Sequence, residues 1–140
     1  MDRQRIINLF AAISTITVFG FALGLMFPLL ALIMEERGID PDIIGYNTAM
    51  QPLGIMLSVF TTPILVRKFG AKRATIGAAF ATGTVILIYP FLSVFWWWFA
   101  LRILHGFFVS TLFAISEAWI VKFAAGPYRS RILALYTSVL

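Results

Sequence analysis

The stretch that decides the fold is residues 74–121, ATIGAAFATGTVILIYPFLSVFWWWFALRILHGFFVSTLFAISEAWIV. Its only charged or readily protonated side chains near neutral pH are Arg102, His105 and Glu117. A helix needs about 20 apolar residues to cross the hydrocarbon core of a bilayer. The stretch is too long for one crossing and suits two, so it predicts a pair of membrane-spanning helices.

The break between these two helices is expected at residues 89–93. Pro90 cannot continue a helix interior without a large cost, and the tryptophans at 96–98 suit the headgroup level of a membrane. Two further uncharged runs precede the stretch, and another begins at Ile132. This last run is too short to span, which indicates a fragment that ends inside a fifth helix. The predicted spans are residues 6–34, 43–66, 74–92 and 96–121, with the start of a fifth at 132, and no separate soluble domain.

The composition supports an all-α integral membrane protein. The 140 residues are 61% hydrophobic and 12% charged, whereas soluble domains are about a quarter charged. The apolar runs do not alternate with polar residues as the strands of a membrane barrel do. The chain has no Cys, which removes disulfides, thiolate catalysis and Cys-ligated metals.

The basic residues predict the orientation and argue against a nucleic-acid partner. Positive charge accumulates in the cytoplasmic loops of membrane proteins. Nine Lys and Arg residues lie in the N-terminal tail, the second loop and the fourth loop, against one in the first and third loops. The net charge of +5 is therefore explained by topology. The N-terminus is expected in the cytoplasm.

Three side chains form the candidate site inside the predicted fourth helix. Arg102 lies roughly 9 Å from the tryptophans at helical rise, where a charge costs at least about 2.5–3.5 kcal/mol. It should face a cavity or a partner, unless it snorkels to the headgroups. Glu117 lies about 22 Å further along the helix, so the two cannot touch. We expect Arg102, Glu117 and His105 to take part in substrate binding or ion coupling. Alternatively, Glu117 lies at the membrane interface and His105 has only a structural role in packing.

Small residues predict where helices pack closely. Gly20 and Gly24 form a GxxxG pair, and Gly77 with Ala81 forms a small-xxx-small pair, patterns that let helix backbones approach. Gly106 points in nearly the same direction as Glu117 on the fourth predicted helix, so that face also allows close approach.

The second loop resembles a motif of the major facilitator superfamily, which reads roughly Gly-xxx-Asp-Arg-x-Gly-Arg-Arg. Residues 63–73 run PILVRKFGAKR. The basic pair, the glycine at the turn and the trailing cations match, while Pro63 replaces the leading glycine and a basic residue replaces the aspartate. The motif residues are Arg67, Lys68, Gly70, Lys72 and Arg73.

The fourth span carries a second resemblance. Residues 102–106, RILHG, resemble the Arg-xx-Gln-Gly motif of the same superfamily, and residues 116–120, SEAWI, resemble the Glu-x-Trp signature of its YcaD-like branch of efflux-like carriers. Residues 129–131, RSR, are also typical of that branch.

The resemblance implies twelve helices in two halves, with a substrate site near the membrane midplane. It implies alternating-access transport of a small solute, coupled to protons or another ion, in the cytoplasmic membrane, with Arg102 and Glu117 facing the central cavity or its rim. The partners would be the lipid bilayer, the solute, the ion and the remainder of the carrier chain, without any cofactor or metal.

The same residues bear on three other classes of function. A complete four-helix exporter acting as a dimer fits the size, although the charge bias and the short fifth run disfavour it. A non-transporting membrane subunit remains an alternative. Membrane enzymes need clustered His, Asp or Ser groups, and one His with one interior acid is too few, so the sequence favours a protein that is not an enzyme.

Overall fold

The computed structural model describes residues 3–123 together with Ser130, Ala134 and Ser138, and for parts of the first helix it describes the backbone alone. The described residues form helices and connecting turns without any strand, which confirms the all-α class. The predicted start of a fifth helix lies almost wholly outside the described residues. The elements are α1 (Arg3–Glu36), α2 (Pro41–Phe69), α3 (Ala71–Ile88), a 3-10 turn (Tyr89–Phe91) and α4 (Trp97–Phe123).

Three segments among the described residues are long and apolar enough to cross a membrane: Pro41–Phe69, Ala71–Phe91 and Trp97–Lys122. At about 1.5 Å per residue, each exceeds the hydrocarbon thickness of about 30 Å. Their outer surfaces carry large apolar side chains, such as Phe60 and Phe80, which are about three-quarters exposed. Apolar surface of this extent is typical of contact with lipid or with another protein segment.

Helices α2 and α3 meet in a turn of one residue. Gly70 adopts φ +82° and ψ 151°, a region that is open almost only to glycine. Its N–H donates to the Val66 carbonyl at 2.9 Å, and its carbonyl accepts from the Ala74 N–H at 3.0 Å. The turn therefore reverses the chain without a loop. We call this side of the bundle the Gly70 end and the opposite side, with the turn at Gly38, the Gly38 end.

The break before α4 follows from Pro90. Helix α3 ends at Ile88, and the chain continues through the 3-10 turn to an extended residue, Leu92, before α4 begins at Trp97. Pro90 has no N–H to donate to a helix, which explains why the α-helix does not continue.

An apolar core lies at the Gly38 end, where α1, α3 and α4 meet. Its buried members are Leu30, Met34, Val85, Tyr89, Trp98 and Leu101. Trp98 packs edge-on against Tyr89, with ring centroids 5.5 Å apart, and its indole N–H donates to the Leu92 carbonyl at 3.3 Å. Trp98 is therefore buried inside the bundle, whereas Trp96 and Trp97 are exposed.

Helices α2 and α4 run parallel and touch at two glycines. A Cβ on Gly54 would collide with the Ile103 carbonyl, and a Cβ on Gly106 would collide with the Gln51 carbonyl. The close contacts predicted at Gly24 and Gly77 are not found among the described residues, since a Cβ on either glycine would meet none of their atoms within 4 Å.

Candidate functional site

The buried face of α2 carries polar side chains and one glycine. Its buried residues are Asn47, Gln51, Gly54, Ser58 and Thr62. They recur every three or four positions, which places them on one side of a helix. We call this face the polar stripe. In a soluble helix the buried face is the apolar one, so α2 has the reverse pattern and presents its polar groups to α4.

Arg102 of α4 lies wholly buried against this stripe. Its Nε donates to Asn47 Oδ1 and its Nη1 donates to Gln51 Oε1, both at 3.1 Å. The guanidinium also lies over the ring of Phe27 on α1, 5.3 Å from the centroid, which is within the range of a cation–π contact. Arg102 thereby connects α1, α2 and α4 at one point, and it neither faces lipid nor snorkels to the headgroups.

The partners of Arg102 are neutral. Among the described residues no carboxylate pairs with it, and three buried atoms of the same region have no hydrogen-bond partner: Arg102 Nη2, Asn47 Nδ2 and the Tyr89 hydroxyl. The first two are pure donors. The cluster therefore keeps its full positive charge and has donors left for a further acceptor.

The polar contact between α2 and α4 continues toward the Gly70 end. The hydroxyls of Thr62 and Thr111 lie 3.1 Å apart in the buried interface. Ser58 instead bonds to the Ile55 carbonyl of its own helix at 2.7 Å. These hydroxyls satisfy one another or their own backbone, so the charged part of the site is confined to Arg102.

The structure separates the residues that the sequence singled out. His105 is buried one turn along α4 from Arg102. Glu117 is exposed and makes no ion pair with any described residue. The four cations of the second loop are all exposed at the Gly70 end; Arg67 lies about 24 Å along α2 from Gln51 at helical rise. Only Arg102 and His105 share one region.

Sequence reasoning missed Asn47, which makes one of the two hydrogen bonds to Arg102. The signal was the spacing of polar residues inside an apolar run. Polar side chains at helical spacing in a membrane span mark the side that contacts other helices, and Asn47 begins such a series.

Comparisons with known proteins agree with this architecture. The model of the Major Facilitator Superfamily matches residues 12–140. A protein described as an uncharacterized MFS-type transporter, YfkF of Bacillus subtilis (strain 168), is 23% identical over 133 residues, which cover 92% of this chain and 33% of the relative. The chain thus spans about a third of the length of that curated relative. No solved structure matches the chain significantly. The family match over nearly all of its residues shows that this chain, a multi-pass membrane protein, belongs to the Major Facilitator Superfamily.

Proposed function

We propose that this chain forms part of a secondary active transporter that moves a small solute across the membrane by alternating access. The family membership supports a carrier, and the observation that carries the proposal is the buried Arg102 cluster. A permanent charge inside a membrane is expensive, and such groups mark substrate or ion pathways by default. This family evidence favours the carrier over a four-helix exporter, a non-transporting subunit or an enzyme.

In this proposal Arg102 is the coupling residue. Its hydrogen bonds go to amide oxygens, and its Nη2 has no partner. Because Arg102 is wholly buried, a solute oxygen or an anionic group reaches Nη2 only when the helices shift, and no ion pair has to break first. Because Arg102 joins three helices, a change in its partners shifts their packing. A ligand can bias a conformational equilibrium only through such differential contacts.

The proposal also includes His105, Glu117, the membrane orientation and the coupling ion. His105 lies one turn from Arg102 and supplies a second polar group, and Glu117 is accessible at the Gly70 end. The transporter lies in the cytoplasmic membrane with its N-terminus in the cytoplasm, uses protons or another ion, and works with the remainder of a carrier chain and without a cofactor. Export of the solute is the direction implied by the resemblance to the YcaD-like branch.

The test uses the full-length protein. Metabolites are compared between cells with and without it, and the compound that differs is then measured in proteoliposomes with and without an imposed proton gradient. We expect Arg102→Ala to abolish gradient-driven movement, because no other described side chain supplies a cation at that depth. Insertion and folding should be largely retained. Arg102→Lys should recover little, since an ammonium cannot reproduce the planar fork of a guanidinium.

The matched control is Thr84→Ala. Thr84 is exposed and its hydroxyl bonds only to the Phe80 carbonyl of its own helix, so transport should persist. Normal transport by Arg102→Ala would remove Arg102 from the mechanism. Transport that ignores every imposed ion gradient would refute ion coupling.

A further inference from the structure

A groove of about 630 Å³ lies between α2 and α4 at the Gly70 end. This volume falls within the range of about 300–1,000 Å³ typical of small-molecule sites. Apolar side chains form most of its walls, among them Val59, Pro63 and Ile115. Arg102, His105 and Glu117 do not line the groove, whereas Ser58 and Thr62 of the polar stripe do, so the groove adjoins the polar stripe and is distinct from the charged part of the site.

The helix packing explains why the groove exists. Helices α2 and α4 touch at Gly54 and Gly106, and every residue that lines the groove follows these glycines in sequence. Beyond the contact, α4 presents Ser110, Ala114 and Ala118, which recur every four positions and share one face. Small side chains on that face leave a channel along the helix.

The mouth of the groove is positively charged. Lys122 continues the small-residue face of α4 by one more turn, and Arg67 lines the opposite wall near the end of α2. No Asp or Glu is among the lining residues. An apolar channel that ends in two cations complements a molecule with an apolar chain and an anionic head.

We propose that this groove binds an anionic phospholipid, with an acyl chain along the Ala114–Ala118 face and the phosphate between Arg67 and Lys122. Both cations lie at the ends of membrane-spanning segments, the level at which headgroups sit. Basic pockets between transmembrane helices are known to bind anionic headgroups, and long basic side chains reach that level readily.

The experiment uses the full-length protein in lipid vesicles doped with phosphatidylglycerol that carries a photoreactive group on one acyl chain. Cross-linked peptides are mapped by mass spectrometry. We expect labels on residues 110–119 of α4. Phosphatidylcholine with the same photoreactive chain should label these residues on the order of tenfold less, because its head carries no net charge.

Two variants distinguish the contribution of charge at the mouth of the groove from that of the shape of its apolar channel. Replacing both cations at the mouth, Arg67→Ala with Lys122→Ala, should lower labelling on the order of tenfold. The matched control, Lys68→Ala with Lys72→Ala, removes two charges at the same end that do not line the groove and should leave labelling unchanged. Ala118→Trp should block the channel without a change of charge and should abolish labelling of α4, while the protein still elutes as a single folded species.

Several outcomes would overturn the proposal. Equal labelling by the two lipids would show that headgroup charge is not recognised. An equal loss in both double variants would show a diffuse surface attraction instead of a site. Absence of labels on α4 in the unmodified protein would show that another part of the carrier, or its solute, occupies the groove.

Discussion

At the scale of single residues, the stability of Arg102 depends on two neutral amides. A charged side chain at the centre of a membrane helix costs about 2.5–3.5 kcal/mol on insertion scales, and Arg102, the sixth residue of α4, lies nearer the helix end, where this cost is lower. Hydrogen bonds to charged groups contribute about 1.5–3 kcal/mol each, and Arg102 donates two of them. The two bonds are therefore large enough to offset the cost without a carboxylate. The arrangement stabilises the charge and leaves it unneutralised.

We predict that Asn47→Leu destabilises the full-length protein by about 1–3 kcal/mol, the usual cost of leaving a buried polar group without its partner. The substitution keeps the branching and the number of heavy atoms of the side chain and removes the acceptor of Arg102 Nε. The midpoint of thermal unfolding in detergent should fall. The effect should largely vanish when Arg102 is also replaced by Met, because the buried donor is then gone.

The control for this prediction is Thr48→Val, one residue further along α2. The Thr48 hydroxyl bonds only to the Ile44 carbonyl of its own helix, so the unfolding midpoint should change little. A similar shift for both variants would show that Asn47 contributes no more than a generic polar group. An undiminished Asn47→Leu effect in the Arg102→Met background would show that the two residues are not coupled.

At the scale of elements, α2 and α4 are held together by close backbone approach and a polar interface. Without a hydrophobic force between helices in lipid, packing and interhelical hydrogen bonds drive association. The glycines at the crossing allow the close packing. The interhelical hydrogen bonds come from Arg102 and from the threonine pair Thr62 and Thr111. The same crossing creates the groove beyond it, because two helices that touch at one level separate along their length.

We predict that Gly54→Ala destabilises the protein by about 1–3 kcal/mol, the typical cost of overpacking. The new methyl group would meet the Ile103 carbonyl and the Phe107 backbone nitrogen, and backbone cannot move aside as a side chain can. Unfolding of the full-length protein in a denaturing detergent series measures the change.

Gly77→Ala is the matched control, since a Cβ there meets nothing among the described residues. It should be neutral or stabilising by up to about 1 kcal/mol, because alanine favours helix over glycine. A tolerated Gly54→Ala would mean that α2 and α4 do not touch at this point. A destabilising Gly77→Ala would mean that a further helix packs on α3.

At the scale of the whole molecule, the bundle has a basic end and an acidic end. Arg67, Lys68, Lys72 and Arg73 flank the turn at Gly70, while Glu35, Glu36, Asp40 and Asp42 flank the turn at Gly38. Since cytoplasmic loops accumulate Lys and Arg, we propose that the Gly70 end faces the cytoplasm.

Alkaline phosphatase, which is active only outside the cytoplasm, tests this orientation. Fusions after Gly70 and after Lys122 should be inactive, and a fusion after Gly38 should be active. The control is a cytoplasm-active reporter at the same three positions, which should give the complementary result. Phosphatase activity after Lys122 would reverse the proposed topology.

The sequence by itself determined the all-α membrane class, the break before α4 and the presence of a charged side chain inside a span at position 102. Hydropathy, helix breakers and the cost of a buried charge depend on a single chain segment and its solvent. They can therefore be inferred from a short stretch of sequence without knowledge of tertiary contacts. Even there, the three tryptophans at 96–98 could not be told apart, because which of them turns inward depends on the start of α4.

Only the tertiary structure decided what each buried group contacts. Among the described residues, close contacts occur at Gly106, which the sequence singled out, and at Gly54, which it did not, whereas Gly24 and Gly77 make none. Asn47 and Gln51 became the partners of Arg102 because the parallel packing of α2 on α4 brings positions about fifty apart into hydrogen-bond range. Interhelical register depends on the fit of whole surfaces, and no local pattern of residues encodes it.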